Sequence, residues 1–129
     1  MPPLRIDVIE GRREAGLNEL PDAVHRTVLA VFRVPERDRY QIVRTHSAAS
    51  MRIEDTGLDI PRRDRSIIVQ VTGRPHTRLE KQTFYELLCR ELVQRCGMRA
   101  SDVAVSITRN ADEEWSFGYG RAQFITGEL

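Results

Sequence analysis

The chain has 129 residues, the size of one domain, with 40 % hydrophobic and 30 % charged residues. Its 20 Lys+Arg against 19 Asp+Glu leave a net charge of +1, with 19 of the cations Arg and one Lys81, which excludes a non-specific polyanion binder and so a nucleic-acid partner. No run of about 18 apolar residues exists to enter a membrane, and the opening Met-Pro-Pro-Leu-Arg-Ile-Asp lacks the apolar core of a signal peptide, so a cytoplasmic protein is expected.

Leu4, Ile6 and Val8 alternate with Arg5 and Asp7, the period of a half-buried strand. Leu17, Leu20, Val24, Val28 and Val31 then keep helical spacing, with Pro21 inside the pattern. Either a helix starts near Arg13 and contains Pro21, or Asn18 caps a shorter helix with Pro21 in its first turn. Val34-Pro35 breaks the helix, and Arg39 to Thr45 reads as a second strand. Residues 46 to 65, carrying Ser, Asp, Gly and Pro, form a connecting excursion.

Ser66 to Val71 is almost wholly apolar and reads as a third strand. The next helix is cleaner. Thr77-Arg78-Leu79-Glu80 fits a capping box, Phe84, Leu87, Leu88 and Leu92 share a face, and Gly97 suits the left-handed position after the helix. Val103 to Thr108 is a fourth strand. The remainder, Asn110 to Leu129, is rich in Gly and aromatics and suits a short hairpin or an extended packed tail.

Cys89 and Cys96 stand on one helix, roughly 10 Å apart at its rise per residue, too far for a disulfide. They read as reduced, semi-buried thiols. No Cys, nor His25, His46 or His76, has metal-ligand spacing, so no metal is expected, and the histidines read as surface or capping residues.

A shift of 62 overlays Gly11-Arg12 on Gly73-Arg74, and both halves then read β-α-β, about residues 2–60 and 64–129 of a single domain. In this register Asp64 takes the place of Pro2. A β-α-β crossover makes its strands parallel, so Asp38, before strand 2, should lie near Pro2, before strand 1. With the halves related by a pseudo-twofold axis, the end of strand 3 joins them. Pro2, Asp38 and Arg74 should converge at one end of the sheet.

That trio has chemical sense. Removal of Met1 would leave Pro2 as a secondary amine, able to act as base, acid or nucleophile. Arg74 offers a planar fork for a carboxylate, and Asp38 can hold a water or keep the amine charged.

Pro2 at the head of a duplicated β-α-β unit resembles the tautomerase superfamily, and within it the malonate semialdehyde decarboxylases. The carrying segments are Pro2 with Leu4, Asp7–Arg12, Val34–Val43, Glu54–Leu58, Thr72–Pro75 and Trp115–Leu129. The resemblance implies an α+β fold with a four-stranded mixed sheet, two helices on one face and short extra strands at the C-terminus. It implies Pro2, Asp38 and Arg74 as catalytic residues. Arg74 and His76 would bind substrate, and Trp115, Phe117, Phe124 and Leu129 would form the pocket wall. Members often carry a second arginine where this chain has His76, a weaker anion anchor when neutral. The implied reaction is decarboxylation of 3-oxopropanoate to acetaldehyde and CO2, with no cofactor and in a homotrimer. The alternatives are a keto-enol tautomerase or hydratase acting on small 2-oxo or enol acids such as phenylpyruvate, and a non-catalytic trimeric binding module.

Overall fold

The computed structural model describes residues 3–11 and 14–129. The main elements run β1 (Pro3–Ile9), α1 (Glu14–Phe32), β2 (Tyr40–His46), β3 (Ile67–Gly73), α2 (Arg78–Cys96) and β4 (Val103–Arg109). The sheet order is β2-β1-β3-β4. β1 pairs parallel with β2, β3 parallel with β4, and β1 antiparallel with β3. This is a mixed four-stranded α+β sheet.

Alternation in the strands and an i, i+4, i+8 stripe on the helices build the core. Leu4, Ile6 and Val8 of β1 and Ile67, Val69 and Val71 of β3 face Leu20, Val24 and Val28 of α1 and Phe84, Leu88 and Leu92 of α2. Both helices therefore cover one face. On the other face the Asp7 carboxylate is clamped by Arg5 (Nε–Oδ2, 3.0 Å) and His46 (Nε2–Oδ1, 2.6 Å). Burial works to raise Asp7, but these two partners outweigh it and hold it below its ordinary value.

α1 contains Pro21 within Glu14–Phe32, the first of the two alternatives; Arg13 lies outside the described residues. α2 starts as read: Thr77 Oγ1 accepts from the Glu80 N–H and the Glu80 carboxylate accepts from the Thr77 N–H. It ends on Gly97 at φ 63°, where a Cβ would be strained. Neither cysteine is in a disulfide, and both are half-buried. Among the described residues no helix is long and apolar enough to cross a membrane.

Two readings need correction. The helices repeat at 64 residues (Leu20, Val24 and Val28 against Phe84, Leu88 and Leu92) and the core positions of β1 and β3 at 63 (Leu4, Ile6 and Val8 against Ile67, Val69 and Val71), not at 62. The Gly-Arg pairs suggested the wrong register, and Asp64 is not the counterpart of Pro2 in either. The C-terminal stretch forms no short extra strands. It makes a 3₁₀ turn (Asp112–Glu114), one isolated bridge between Gly118 and Arg121, and a short helix α3 (Gln123–Thr126). Tyr119 and Gly120, both at positive φ (58° and 66°), turn the chain as a two-residue hairpin loop does, but α3 begins two residues after the bridge, so no ladder propagates.

Candidate active site

The sheet brings the expected segments to one end. Pro3 stands opposite Tyr40 in the parallel β1–β2 pair, and Leu4 opposite Val71 in the antiparallel β1–β3 pair. The start of β1, the start of β2 and the end of β3 thus share an edge. Pro2 itself, and Arg12, lie outside the described residues.

The loop leading to β2 is held from α1. The Nε2 of His25 lies 2.8 Å from the Glu36 carbonyl, and since a carbonyl only accepts, the proton sits on Nε2. His25 is buried, not a surface residue, and acts as a pin for this loop. Arg39 donates to Asp22 (2.6 Å) and to Gln41 (2.8 Å), whose amide reaches the Pro21 carbonyl (2.8 Å). The Asp38 N–H closes a turn on the Pro35 carbonyl at 3.0 Å. Burial raises the Asp38 carboxyl above its ordinary value, with the charge of His25 opposing.

Arg74 follows the last residue of β3. Its Nε lies 2.8 Å from Asp112 Oδ1 and its Nη2 donates to Oδ2 at 3.0 Å, a two-point pair along one edge of the guanidinium. Its Cζ stands 4.6 Å over the Phe124 ring. His76 stacks on Phe32 (centroids 3.9 Å apart, 17° between planes), and its Nδ1 lies 3.2 Å from Glu80 Oε2. Burial lowers the His76 pKa against the pull of Glu80. A neutral imidazole that donates through Nδ1 keeps a lone pair on Nε2. That nitrogen accepts from a hydroxyl or water and does not donate to a carboxylate.

Arg74, His76 and Asp112 line a cavity of about 560 Å³ with Phe32, Arg33, Val34 and Pro35. A neighbouring hollow of about 450 Å³ is lined by Asp38, Tyr40, Phe117 and Leu129, and Pro35 borders both. An aromatic chain runs between them. Phe117 stacks on Trp115 (5.2 Å), meets Phe124 edge-on (5.3 Å) and approaches Tyr40 (6.1 Å). Trp115 is fixed through its Nε1–H to Asn110 Oδ1 (2.8 Å). Gln123 accepts from the Phe117 N–H and donates to the Gly118 carbonyl, both at 2.9 Å.

The structure thus joins Arg74 with His76 and Phe124, and Asp38 with Phe117 and Leu129, while Trp115 buttresses the wall. The sequence reading missed Asp112, Phe32 and Tyr40. Asp112 had a signal. β3 and β4 are parallel with Gly73 opposite Arg109, so residues just past β4 must lie beside residues just past β3.

A four-stranded sheet with a cavity at the end where its two units meet is what the residues build. Residues 38–118 match the family model described as tautomerase enzyme, and the chain belongs to that family. It is 46 % identical, over the full length of both chains, to a probable tautomerase, YrdN, of Bacillus subtilis (strain 168). It is 41 % identical to malonate semialdehyde decarboxylase, with a TM-score of 0.94 and 98 % of each chain covered. That protein was solved as wild type, as a mutant with alanine for its first-residue proline, and in inactivated form, with decarboxylase and hydratase activities ascribed to it. A second malonate semialdehyde decarboxylase, FG41, was solved inhibited by 3-bromopropiolate. It is 36 % identical with the same TM-score of 0.94, covering 98 % of this chain and 96 % of its own.

Proposed function

We propose that this tautomerase-family chain is a carboxy-lyase that converts 3-oxopropanoate to acetaldehyde and CO2 with Pro2 as its amino-terminal residue. The observation that carries the reading is the meeting at one sheet end of the Arg74–His76 cavity and the Asp38 hollow. The 41 % identity to malonate semialdehyde decarboxylase supports it.

In this reading Arg74 takes the substrate carboxylate on the guanidinium edge that Asp112 leaves open. Pro2 supplies the electron sink in one of two ways. Protonated, it donates a hydrogen bond to the aldehyde oxygen. Neutral, it adds to the aldehyde carbon and expels water to form an iminium. The bond between the carboxylate carbon and the methylene then breaks, CO2 leaves, and the electron pair passes to the polarised oxygen or the iminium nitrogen. A proton returns to the methylene carbon, and in the second route water releases acetaldehyde and the free amine. The aromatic wall of Trp115, Phe117 and Phe124 disfavours the charged carboxylate relative to neutral CO2. Asp38 holds a water or the charged amine. The active assembly is a homotrimer, as the family resemblance implies.

A second reading follows from the 46 % identity to a probable tautomerase: neutral Pro2 moves a proton between carbon and oxygen of a small enol acid. The test is product analysis. Incubation with 3-oxopropanoate should release CO2 and acetaldehyde in equal amounts, and 3-bromopropiolate should add its mass to the peptide that starts at Pro2. Ketonisation of enol-phenylpyruvate without CO2 release from 3-oxopropanoate would replace the first reading with the second.

A further inference from the structure

Arg74 is not a free cation. Asp112 occupies its Nε/Nη2 edge at 2.8 and 3.0 Å, and the Phe124 ring backs one face of the guanidinium. The segment that delivers Asp112 is anchored. The Asn110 N–H donates to the Gly73 carbonyl (2.8 Å), extending the β3–β4 ladder by one bond. The Asn110 side chain holds Trp115 (2.8 Å), and the turn at 111–114 closes as the Glu114 N–H donates to the Ala111 carbonyl (3.1 Å) and the Ala111 N–H donates to the Glu114 carboxylate. Asp112 thus stands in a fixed relation to Arg74, and it lines the same cavity.

We infer that Asp112 is the positioning and specificity residue of this site. It fixes the guanidinium so that one edge, Nη1/Nη2, is left for substrate, and its own negative charge beside that edge rejects a second carboxylate. The inference rests on the reading of Arg74 as the carboxylate anchor and adds the residue that excludes a dicarboxylate. One further feature agrees. His76, as a neutral acceptor, gives a second carboxylate no donor. Arg33 also lines the cavity, but it is exposed, so water screens its charge.

The test uses two acids of nearly equal size, 3-hydroxypropanoate and malonate, titrated by calorimetry into the full chain at neutral pH. Wild type should bind 3-hydroxypropanoate more tightly than malonate. In Asp112→Asn the affinity for 3-hydroxypropanoate should fall about tenfold as the guanidinium loses the two-point pair that orients it. The preference over malonate should shrink by a similar factor. Asp112→Glu, which keeps the charge, should retain the preference. Asp112 is about half exposed, so folding should survive, and Asp112→Ser gives the same readout if the Asn variant does not fold. Binding that needs Arg74 but shows the same acid preference in wild type, Asn and Ser variants overturns this inference and leaves the anchor reading standing. Binding of neither acid, or binding unaffected by Arg74→Ala, overturns both.

Discussion

The two β-α-β units place an aspartate at the same point and use it in opposite ways. Asp38 and Asp102 stand 64 residues apart, the offset of the helices, and each closes the same turn: the Asp38 N–H on Pro35 and the Asp102 N–H on Arg99, both at 3.0 Å. Asp102 is 2 % exposed, and its Oδ1 accepts from the Arg63 N–H (2.7 Å) and the Ser66 hydroxyl (3.1 Å). Its carboxylate is consumed as a structural pin. Asp38 is only partly buried, and no hydrogen bond from the described residues reaches its carboxylate. It faces a hollow walled by Tyr40, Phe117 and Leu129. The same turn thus locks one unit and leaves a carboxylate available in the other, and the aromatic C-terminal stretch covers only the second case.

The largest effect expected from this contrast is on Arg74, at the open end. Arg74→Ala should lower kcat/KM for 3-oxopropanoate by about a hundredfold, the worth of a charged hydrogen-bonding pair, with an unchanged melting temperature. Steady-state assay beside thermal unfolding reads both. Next comes the aspartate pair. Asp102→Ala takes the acceptor from the Arg63 N–H, while the Ser66 hydroxyl keeps the Arg63 carbonyl, and should cost about 2 kcal/mol of stability while folded protein keeps its turnover. Asp38→Ala should do the reverse. Denaturant unfolding that finds both variants equally destabilised would erase the contrast.

The smallest effect is the pH dependence of Asp38. Its folded pKa is raised by burial, so between the unfolded and folded values the folded state holds a proton that the unfolded chain has lost. That contribution is complete below the unfolded pKa and is lost as pH rises through the folded pKa. Asp38→Asn should therefore match wild type in acid and gain a melting temperature on the order of 1 °C at neutral pH. Melting curves at the two pH values check it.

How much of this was legible follows from the kind of signal each residue carries. The strands and α2 were readable because period-two alternation and the Thr77–Gly97 caps are local. The β-α-β order of both units was readable, but the register between them was not. Gly11-Arg12 and Gly73-Arg74 look alike, whereas the register is set by which side chains meet in the core, and α1 and α2 disagree with the strands by one residue. Asp38 and Arg74 were placed by topology, and the aromatic wall by the family resemblance. Asp112 follows from that topology too, through the parallel β3–β4 pair, yet an Asp in Asn110-Ala111-Asp112-Glu113-Glu114 gives no sign of its partner. The C-terminal reversal was hidden because Tyr119 takes a positive φ that its residue type does not announce. His25 was hidden because its role depends on a carbonyl eleven residues away.

The most direct test of the whole account lies at the start of the chain. The rate of CO2 release from 3-oxopropanoate should be compared for the wild type, its N-terminal mass confirming Pro2 as the first residue, and for Pro2→Ala of equal melting temperature. The account predicts steady release by the wild type and loss of nearly all of it in the variant. Undiminished release in Pro2→Ala, or from a chain that retains Met1, would contradict it.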